Sequence, residues 1–509
     1  MSGSFLCVDL GTTGLKISIL SEDGTELGRA SREYRIETPW AGAVEQDPES
    51  WWGAFVQCCR ELRAKDAAAL SSLLGIGICG QMHTQVYLDS EGRPLRSAIT
   101  WMDQRSGNLV ERLEKVPGFS QSVFAETGNN LAPTYTAPNC VWVRENQPDL
   151  WRETRSILVA KDYLKYRLSG EMATDPSDAV GTLLFDVAKR RWSDEMTRLF
   201  GIGRSLLPDV APSSAIIGRV TPAAGEESGI PAGTPVNNGS SDNSAAALGC
   251  GMVAPGQATL IIGTAGVVSV CSDRPIPDPR HRLACWNYCL DDRWISLGVT
   301  QTAGESLNWF KRCFDQGDEG GGSGDIFKEY EQSAADVPPG SGGLVFLPYL
   351  NGERTPYWDT CARGVFFGAN LETRKRHFIK AVMEGVSFAL RNNLETVESL
   401  GIQVAEVRAT GGGLRSPAWL SCLSMIMRKP IRNISAQDPG NRGNAMLCGM
   451  ALGAFRSAES ALEAFTGDVP DPVMIVESDE ACERNYRIFL ELYDDLKERF
   501  RMAAEWPRR

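Results

Sequence analysis

Residues 5–20 read Phe-Leu-Cys-Val-Asp-Leu-Gly-Thr-Thr-Gly-Leu-Lys-Ile-Ser-Ile-Leu. Phe5 to Leu10 is apolar apart from one carboxylate, Asp9. Leu15 to Leu20 alternates, with Leu15, Ile17 and Ile19 on one face. Both runs have the period of strands, and Gly11-Thr12-Thr13-Gly14 is the turn between them. Glycine permits a tight turn and brings backbone N–H groups close to an anion. The two hydroxyls suit phosphate oxygens, and Lys16 adds a positive charge within reach. Asp9, at the end of a buried strand, suits a hydrated Mg²⁺, which takes one or two carboxylates beside phosphate and water. An ordinary hairpin with a polar turn fits this stretch, taken alone, equally well.

A second copy of the pattern favours the phosphate reading. Residues 257–270 read Gln-Ala-Thr-Leu-Ile-Ile-Gly-Thr-Ala-Gly-Val-Val-Ser-Val, so Gly263-Thr264-Ala265-Gly266 repeats the first turn between two more apolar runs. Two such hairpins half a chain apart imply homologous halves closing on one nucleotide. The arrangement resembles the actin-like ATPase superfamily. That resemblance implies an α/β fold of two duplicated actin-like (ribonuclease H-like) ATPase domains with a nucleotide cleft between them.

A chain of 509 residues has room for two or more domains, each with its own core. Acidic residues outnumber basic ones, 64 to 52, for a net charge of −12. This argues against a nucleic-acid partner, which calls for a basic patch. No apolar run approaches the roughly 20 residues of a membrane span, and no leader with a charged start and a long apolar core is visible. The 14 cysteines show no Cys-x-x-Cys spacing, and many sit in apolar runs, as Cys7, Cys79 and Cys448 do. They read as small buried hydrophobes in a reduced, cytoplasmic protein, with no zinc site. No Gly-x-x-x-x-Gly-Lys-Ser/Thr motif is present, which excludes a P-loop kinase.

Local signals place the remaining polar clusters. Asp47 is a helix cap, Pro48 fits the first helical position, and an apolar-periodic run reaches Leu62. Leu74 to Cys79 is a buried strand ending in Gly80-Gln81-Met82-His83, at the carboxyl edge where α/β sheets hold ligands. Ser244 to Met252 and Asn444 to Arg456 are Ala/Gly-rich helices, and Gly304 to Phe314, His377 to Leu400 and Ser416 to Met427 are helical. Residues 315–325, glycine-rich and acidic, read as a mobile surface loop, and 480–504 is a charged terminal helix.

The order and spacing of several short segments are similar to the FGGY-type carbohydrate kinases from end to end. These are Asp9-Leu10-Gly11-Thr12-Thr13, Gly80-Gln81-Met82-His83, Trp101-Met102-Asp103-Gln104-Arg105, the segment 175–182 (Asp-Pro-Ser-Asp-Ala-Val-Gly-Thr), Gly263-Thr264-Ala265-Gly266, Leu347 to Arg354, and Gly411-Gly412-Gly413. Ala369, and Asn139 where the family usually has Lys, depart from the pattern. The resemblance implies an N-terminal domain of 1–245 on the sugar and phosphate side. It implies a C-terminal domain of 246–509 on the nucleotide side, with a terminal helix able to pack back on the first domain. It also implies ATP-dependent phosphorylation of a ketopentose, D-xylulose foremost. The partners are then a small sugar and ATP with Mg²⁺, with no nucleic acid and no membrane, and assembly as a homodimer is left open.

Carried over position by position, the resemblance makes Asp242 the base that takes the proton of the attacking hydroxyl. Its competing role is a helix cap, which Asp favours. Met82 and His83 match positions that touch the ketose, although a lone His after a strand is commonly structural. Asp103 would accept from sugar hydroxyls beside the apolar wall of Trp101, with an ion pair to Arg105 as an equal alternative. Gly11, Thr12, Thr13 and Lys16 would face the β- and γ-phosphates from one half, and Gly263 and Thr264 from the other. Gly304 and Asn308 would line the nucleotide cleft, and Gly412, Gly413 and Ser416 the adenosine pocket, Ser416 being also a plausible plain cap. Asp9 and Asp242 would hold Mg²⁺ through water. The rival readings are a kinase of another ketose or a polyol (a ribulose, a glycerol-like acceptor) and an actin- or chaperone-type ATPase.

Overall fold

The computed structural model of the protein describes residues 3–315, 326–434, 438–466 and 473–504. In the first half, strands β1 (Ser4–Leu10), β2 (Gly14–Ser21), β3 (Glu26–Glu33), β4 (Leu73–Gly80) and β5 (Pro235–Asn237) lie in the order β5-β4-β1-β2-β3. β1–β2 and β2–β3 pair antiparallel, while β4 runs parallel to β1 and β5 parallel to β4. The second half repeats this order and these directions with β6 (Ala258–Ile262), β7 (Gly266–Ser272), β8 (Trp294–Thr300), β9 (Val407–Thr410) and β10 (Ile431–Asn433). The repeated turns thus belong to a repeated sheet.

The elements follow from local chemistry. β1 is apolar from Phe5 to Val8 because both of its faces are covered there. On one face lies helix α1 (Pro48–Lys65), capped by Asp47, whose Oδ1 accepts from Glu49 N at 3.0 Å. Trp51, Phe55, Cys58 and Leu62 of α1 pack into the same core as Leu6, Val8, Ile17 and Ile19. The β1–β2 register sets Asp9 opposite Lys16 and Leu10 opposite Leu15.

The halves meet where α2 (Asp242–Gly249) crosses α6 (Pro439–Ala451) of the second half. The second half also carries α3 (Gly304–Phe314), α4 (Lys375–Glu398) and α5 (Pro417–Met427). Helix α6 spans Pro439–Ala451, so the expected range from Asn444 to Arg456 is corrected to a start five residues earlier. Gly440 and Gly443 break the apolar stripe there and hide the first turn, which Asp438 caps by accepting from Asn441 N at 3.2 Å. The same glycine makes the crossing possible. A Cβ on Gly443 would lie 2.0 Å from Ala245 O, and one on Gly249 would lie 1.8 Å from Pro439 O. Asn444 Nδ2 donates to Val8 O at 2.8 Å, tying α6 under β1.

Among the described residues the terminal helix α7 (Glu480–Ala504) packs on the second half rather than back on the first. Its Tyr486, Phe489 and Phe500 bury against Val345, Leu347 and Phe388, and Arg391 Nη1 lies 2.7 Å from Glu483 Oε1, so it covers the second half. Residues 316–325 of the expected surface loop lie outside the described residues. Among the described residues no helix is long and apolar enough to cross a membrane. No two of the 14 cysteines are joined in a disulfide.

Candidate active site

Three cavities follow one another along the junction of the halves. The middle one, about 320 Å³, is walled by Asp9, Gly11 and Lys16 of the first hairpin, Asp242 and Asn243 of α2, and Asp438 before α6. The antiparallel register carries Lys16 Nζ to 3.9 Å from Asp9 Oδ2. Burial and the neighbouring Asp438 push the Asp9 carboxyl up to about 6, against the pull of Lys16. Asp242 is the first residue of α2, and Ser241, whose Oγ accepts from Ser244 N, caps that helix. The reading of Asp242 as the cap is therefore corrected, since the residue before it has that role. Asp242 Oδ1 accepts from Asn243 N at 2.7 Å. Burial, then the Asp9 charge, push its carboxyl up to about 7. A carboxylate poised near neutral pH can take a proton during a reaction.

The floor also suits a cation. The Asp9 charge raises the proton affinity of Asp242, and Asp438 that of Asp9, so positive charge among them is favoured. Among the described residues no group of three or more His, Cys, Asp or Glu could hold a metal. A Mg²⁺ here would take its other ligands from phosphate and water, which is its usual habit.

The second cavity shares Asp242 and Asn243 with the first and measures about 210 Å³. It is below the roughly 300 Å³ at which drug-sized pockets begin, which suits a small acceptor. Met82 and His83 form one side, Thr12 and Trp101 another, and Trp286 and Arg354 come from the second half. His83 Nδ1 lies 2.7 Å from Gly181 O. A carbonyl only accepts, so Nδ1 carries the proton and Nε2 is an acceptor. Burial lowers the His83 pKa to about 4, with the Arg354 charge adding to the effect, so the ring is neutral at pH 7. Tyr135 and Trp286 pack edge-on against it, with ring centroids 4.9 and 5.8 Å away.

The third cavity, about 640 Å³, has the size of a nucleotide site. Gly263 and Thr264 of the second hairpin, Gly304 and Asn308 of α3, and Gly412, Gly413 and Ser416 line it. Gly411 has φ +117°, and a Cβ there would lie 2.4 Å from Ile262 O, so only glycine lets this turn lie against the hairpin. Ser416 does both things expected of it: its Oγ accepts from Trp419 N at 3.3 Å, capping α5, and it lines the cavity.

Most of the residues expected at a site are thus together, with three adjustments. Asp103 is fully buried and outside these cavities. Its Oδ1 accepts from Arg105 N and Nε at 2.8 and 2.9 Å, and its Oδ2 from Val44 N and Arg105 Nη2 at 2.6 and 2.8 Å. With both oxygens engaged it is a loop anchor, not an acceptor for sugar hydroxyls. Thr12 faces the acceptor cavity, where its Oγ1 accepts from Trp101 Nε1 at 2.9 Å. Thr13 is exposed beside it and lines none of the three.

Sequence reasoning missed Arg354 and Trp286 of the acceptor cavity, Asp438 of the middle one and Phe327 of the third. Arg354 closes the quoted segment from Leu347, so its position was visible and its role was not. Trp286, in a short strand of the second half, carries no local signal.

The sequence matches the models of the FGGY family of carbohydrate kinases, the N-terminal domain over residues 4–249 and the C-terminal domain over residues 258–452. A xylulose kinase of Lactococcus lactis subsp. lactis (strain IL1403) is 33% identical over 499 residues, 97% of each chain. One of Escherichia coli (strain K12) is 35% identical over 457 residues, 90% of each. Among solved structures, a "xyloylose kinase" from Brucella ovis superimposes with a TM-score of 0.88 at 32% identity, covering 97% of this chain and 99% of that one.

Proposed function

The chain belongs to the FGGY family of carbohydrate kinases and is an ATP-dependent sugar kinase, and from that premise we propose that its acceptor is D-xylulose and its product D-xylulose 5-phosphate. The observation that carries this reading is Asp242, shared by a small acceptor cavity and the phosphate floor. The names of the relatives supply the sugar.

Phosphoryl transfer asks the protein mainly to position groups and stabilise charge. In this reading Asp242 accepts the proton of the 5-hydroxyl as its oxygen approaches the γ-phosphorus. Neutral His83 accepts a sugar hydroxyl through Nε2, Met82 and Trp101 supply apolar walls, and Arg354 donates to acceptor oxygens from the opposite half. Lys16 and the Gly11 turn meet the phosphates from one side, and Gly263 and Thr264 from the other. Asp9 and Asp242 would hold Mg²⁺ through water, and the ion, when bound, would neutralise charge on the phosphate oxygens. The functional division is 1–245 and 246–509. A cytoplasmic setting agrees with unbridged, mostly buried cysteines.

The test is ADP release across pentuloses, hexuloses, glycerol and a no-sugar control at equal concentration. The expected result is the highest kcat/KM for D-xylulose. A higher value for another ketose or for glycerol would transfer the same mechanism to that acceptor.

A further inference from the structure

Segment 175–182, one of those that carry the family resemblance, lines none of the three cavities. It lies directly behind the loop 237–241 that leads into Asp242. Ser177 Oγ donates to Asp175 Oδ2 at 2.5 Å and accepts from Ser241 N at 3.0 Å, next to Asp242 in the chain. Asp175 Oδ2 also accepts from Ser213 Oγ at 2.7 Å, and its Oδ1 lies 3.1 Å from Lys161 Nζ. Lys161 and Lys165 both reach Asp162 Oδ1, at 2.6 and 2.8 Å. Lys165 Nζ donates to Asn238 O at 2.9 Å, at the other end of the loop. Asn238 Nδ2 in turn donates to Thr174 O at 3.0 Å. Every one of these charged side chains is fully buried.

Asp178, 3.7 Å from Lys161, has no hydrogen-bond partner for either oxygen. Burial pushes its carboxyl well up, against the pull of Lys161. Lys161 lies between Asp162 and Asp175, and Lys165 beside Asp162. A buried ion cluster of this kind is no more stabilising than well-packed apolar residues, so stability does not explain it. It does hold both ends of one loop. It also fixes a direction: the only proton of Ser177 goes to Asp175, so a lone pair must face Ser241 N–H.

We propose that Ser177 and Asp175, held by the buried Lys161–Asp162–Lys165 cluster, are positioning residues that set the place of Asp242 in the cleft. The proposal rests on Asp242 being the base, as argued above. Ser177→Ala removes the acceptor for Ser241 N–H. Asp175→Asn keeps the shape, but its amide can donate to Ser177, turning the serine proton toward Ser241 and breaking the link.

The test is steady-state kinetics with D-xylulose and ATP on Ser177→Ala, Asp175→Asn, Ser177→Thr, Ser213→Ala and Asp242→Asn, with melting temperatures. A misplacement of about 1 Å can cost about 100-fold in rate. Ser177→Ala and Asp175→Asn should therefore lower kcat by about 10- to 100-fold, with both KM values within about threefold of wild type. Ser177→Thr should restore kcat. Ser213→Ala, which removes a bond to the same carboxylate and leaves the Ser177–Ser241 link, should lose melting temperature and keep kcat. If Ser177→Ala is unstable, Asp175→Asn carries the same test. Wild-type kcat in a folded Ser177→Ala or Asp175→Asn, while Asp242→Asn falls, would overturn the proposal. Equal effects of Ser177→Ala and Ser213→Ala on kcat would also overturn it, by reducing the cluster to a structural role. Wild-type kcat in Asp242→Asn would overturn the base assignment itself, and this proposal with it.

Discussion

Asp242→Asn separates chemistry from folding at one position. The amide has nearly the shape of the carboxylate, can still accept from Asn243 N, and leaves the Ser241 cap of α2 in place. It cannot take a proton, and a positioned general base is worth about 10² to 10⁴ in rate, roughly 3 to 5 kcal/mol of barrier. Stability should move the other way. Raising a carboxyl from 3.8 to about 7 penalises its ionised form, by roughly 4 kcal/mol at about 1.4 kcal/mol per pH unit. Asp242 is partly exposed to the open cleft, and solvent screening cuts that to about 2 kcal/mol. The variant should therefore melt at or above the wild-type temperature at pH 8, bind ATP and ketose, and lose turnover by the factor above. Stopped assays of ADP formation, with calorimetric melting, read both quantities. A variant that phosphorylates the sugar at near wild-type rate would place the base elsewhere. One that unfolds would give Asp242 a structural role instead.

Thr264→Val should raise the KM for ATP and leave that for the sugar unchanged, because Thr264 lines the nucleotide cavity alone; unchanged ATP kinetics would refute the two-half cleft. His83→Ala deletes an acceptor in the sugar cavity. A lost bond of roughly 1 to 3 kcal/mol should raise the sugar KM about 5- to 150-fold, and a shift in the ATP KM instead would remove His83 from the acceptor site. Arg354 makes no ion pair or side-chain hydrogen bond among the described residues, and its charge is felt at His83 and Tyr135. Arg354→Met should therefore cost little stability and raise the sugar KM at least about tenfold, and a sugar KM like wild type's would show that the guanidinium does not reach the acceptor. Since Asp242 holds its proton up to about pH 7, kcat/KM for the sugar should rise with pH below 7 and level off above it; a profile flat from pH 5 to 8 would contradict the role of Asp242.

Much of this arrangement was legible in the chain because its signals are local. The two Gly-Thr-x-Gly turns each sit between runs of strand period, and both pair as hairpins in matching sheets. Asp47-Pro48 and Ser416-Pro417 mark helix starts by their own chemistry. What escaped depends on contacts between distant segments. Trp286 and Arg354 reach the acceptor cavity only because the second half folds over the first. Asp103 looked available because its partners, Arg105 and Val44, depend on how the loop closes. The start of α6 was hidden by glycines required at a helix crossing, a constraint that exists only once Ala245 lies opposite. The terminal helix was free in sequence to pack on either half, and its aromatic stripe finds its match around Phe388.

The most direct measurement of the central claim is ³¹P and ¹³C NMR of a mixture of the enzyme, ATP, Mg²⁺ and D-xylulose, followed to completion. The account predicts one phosphomonoester, coupled to C5 of the sugar, growing in step with ADP and absent with Asp242→Asn. ADP accompanied by inorganic phosphate, with the sugar unchanged, would contradict it.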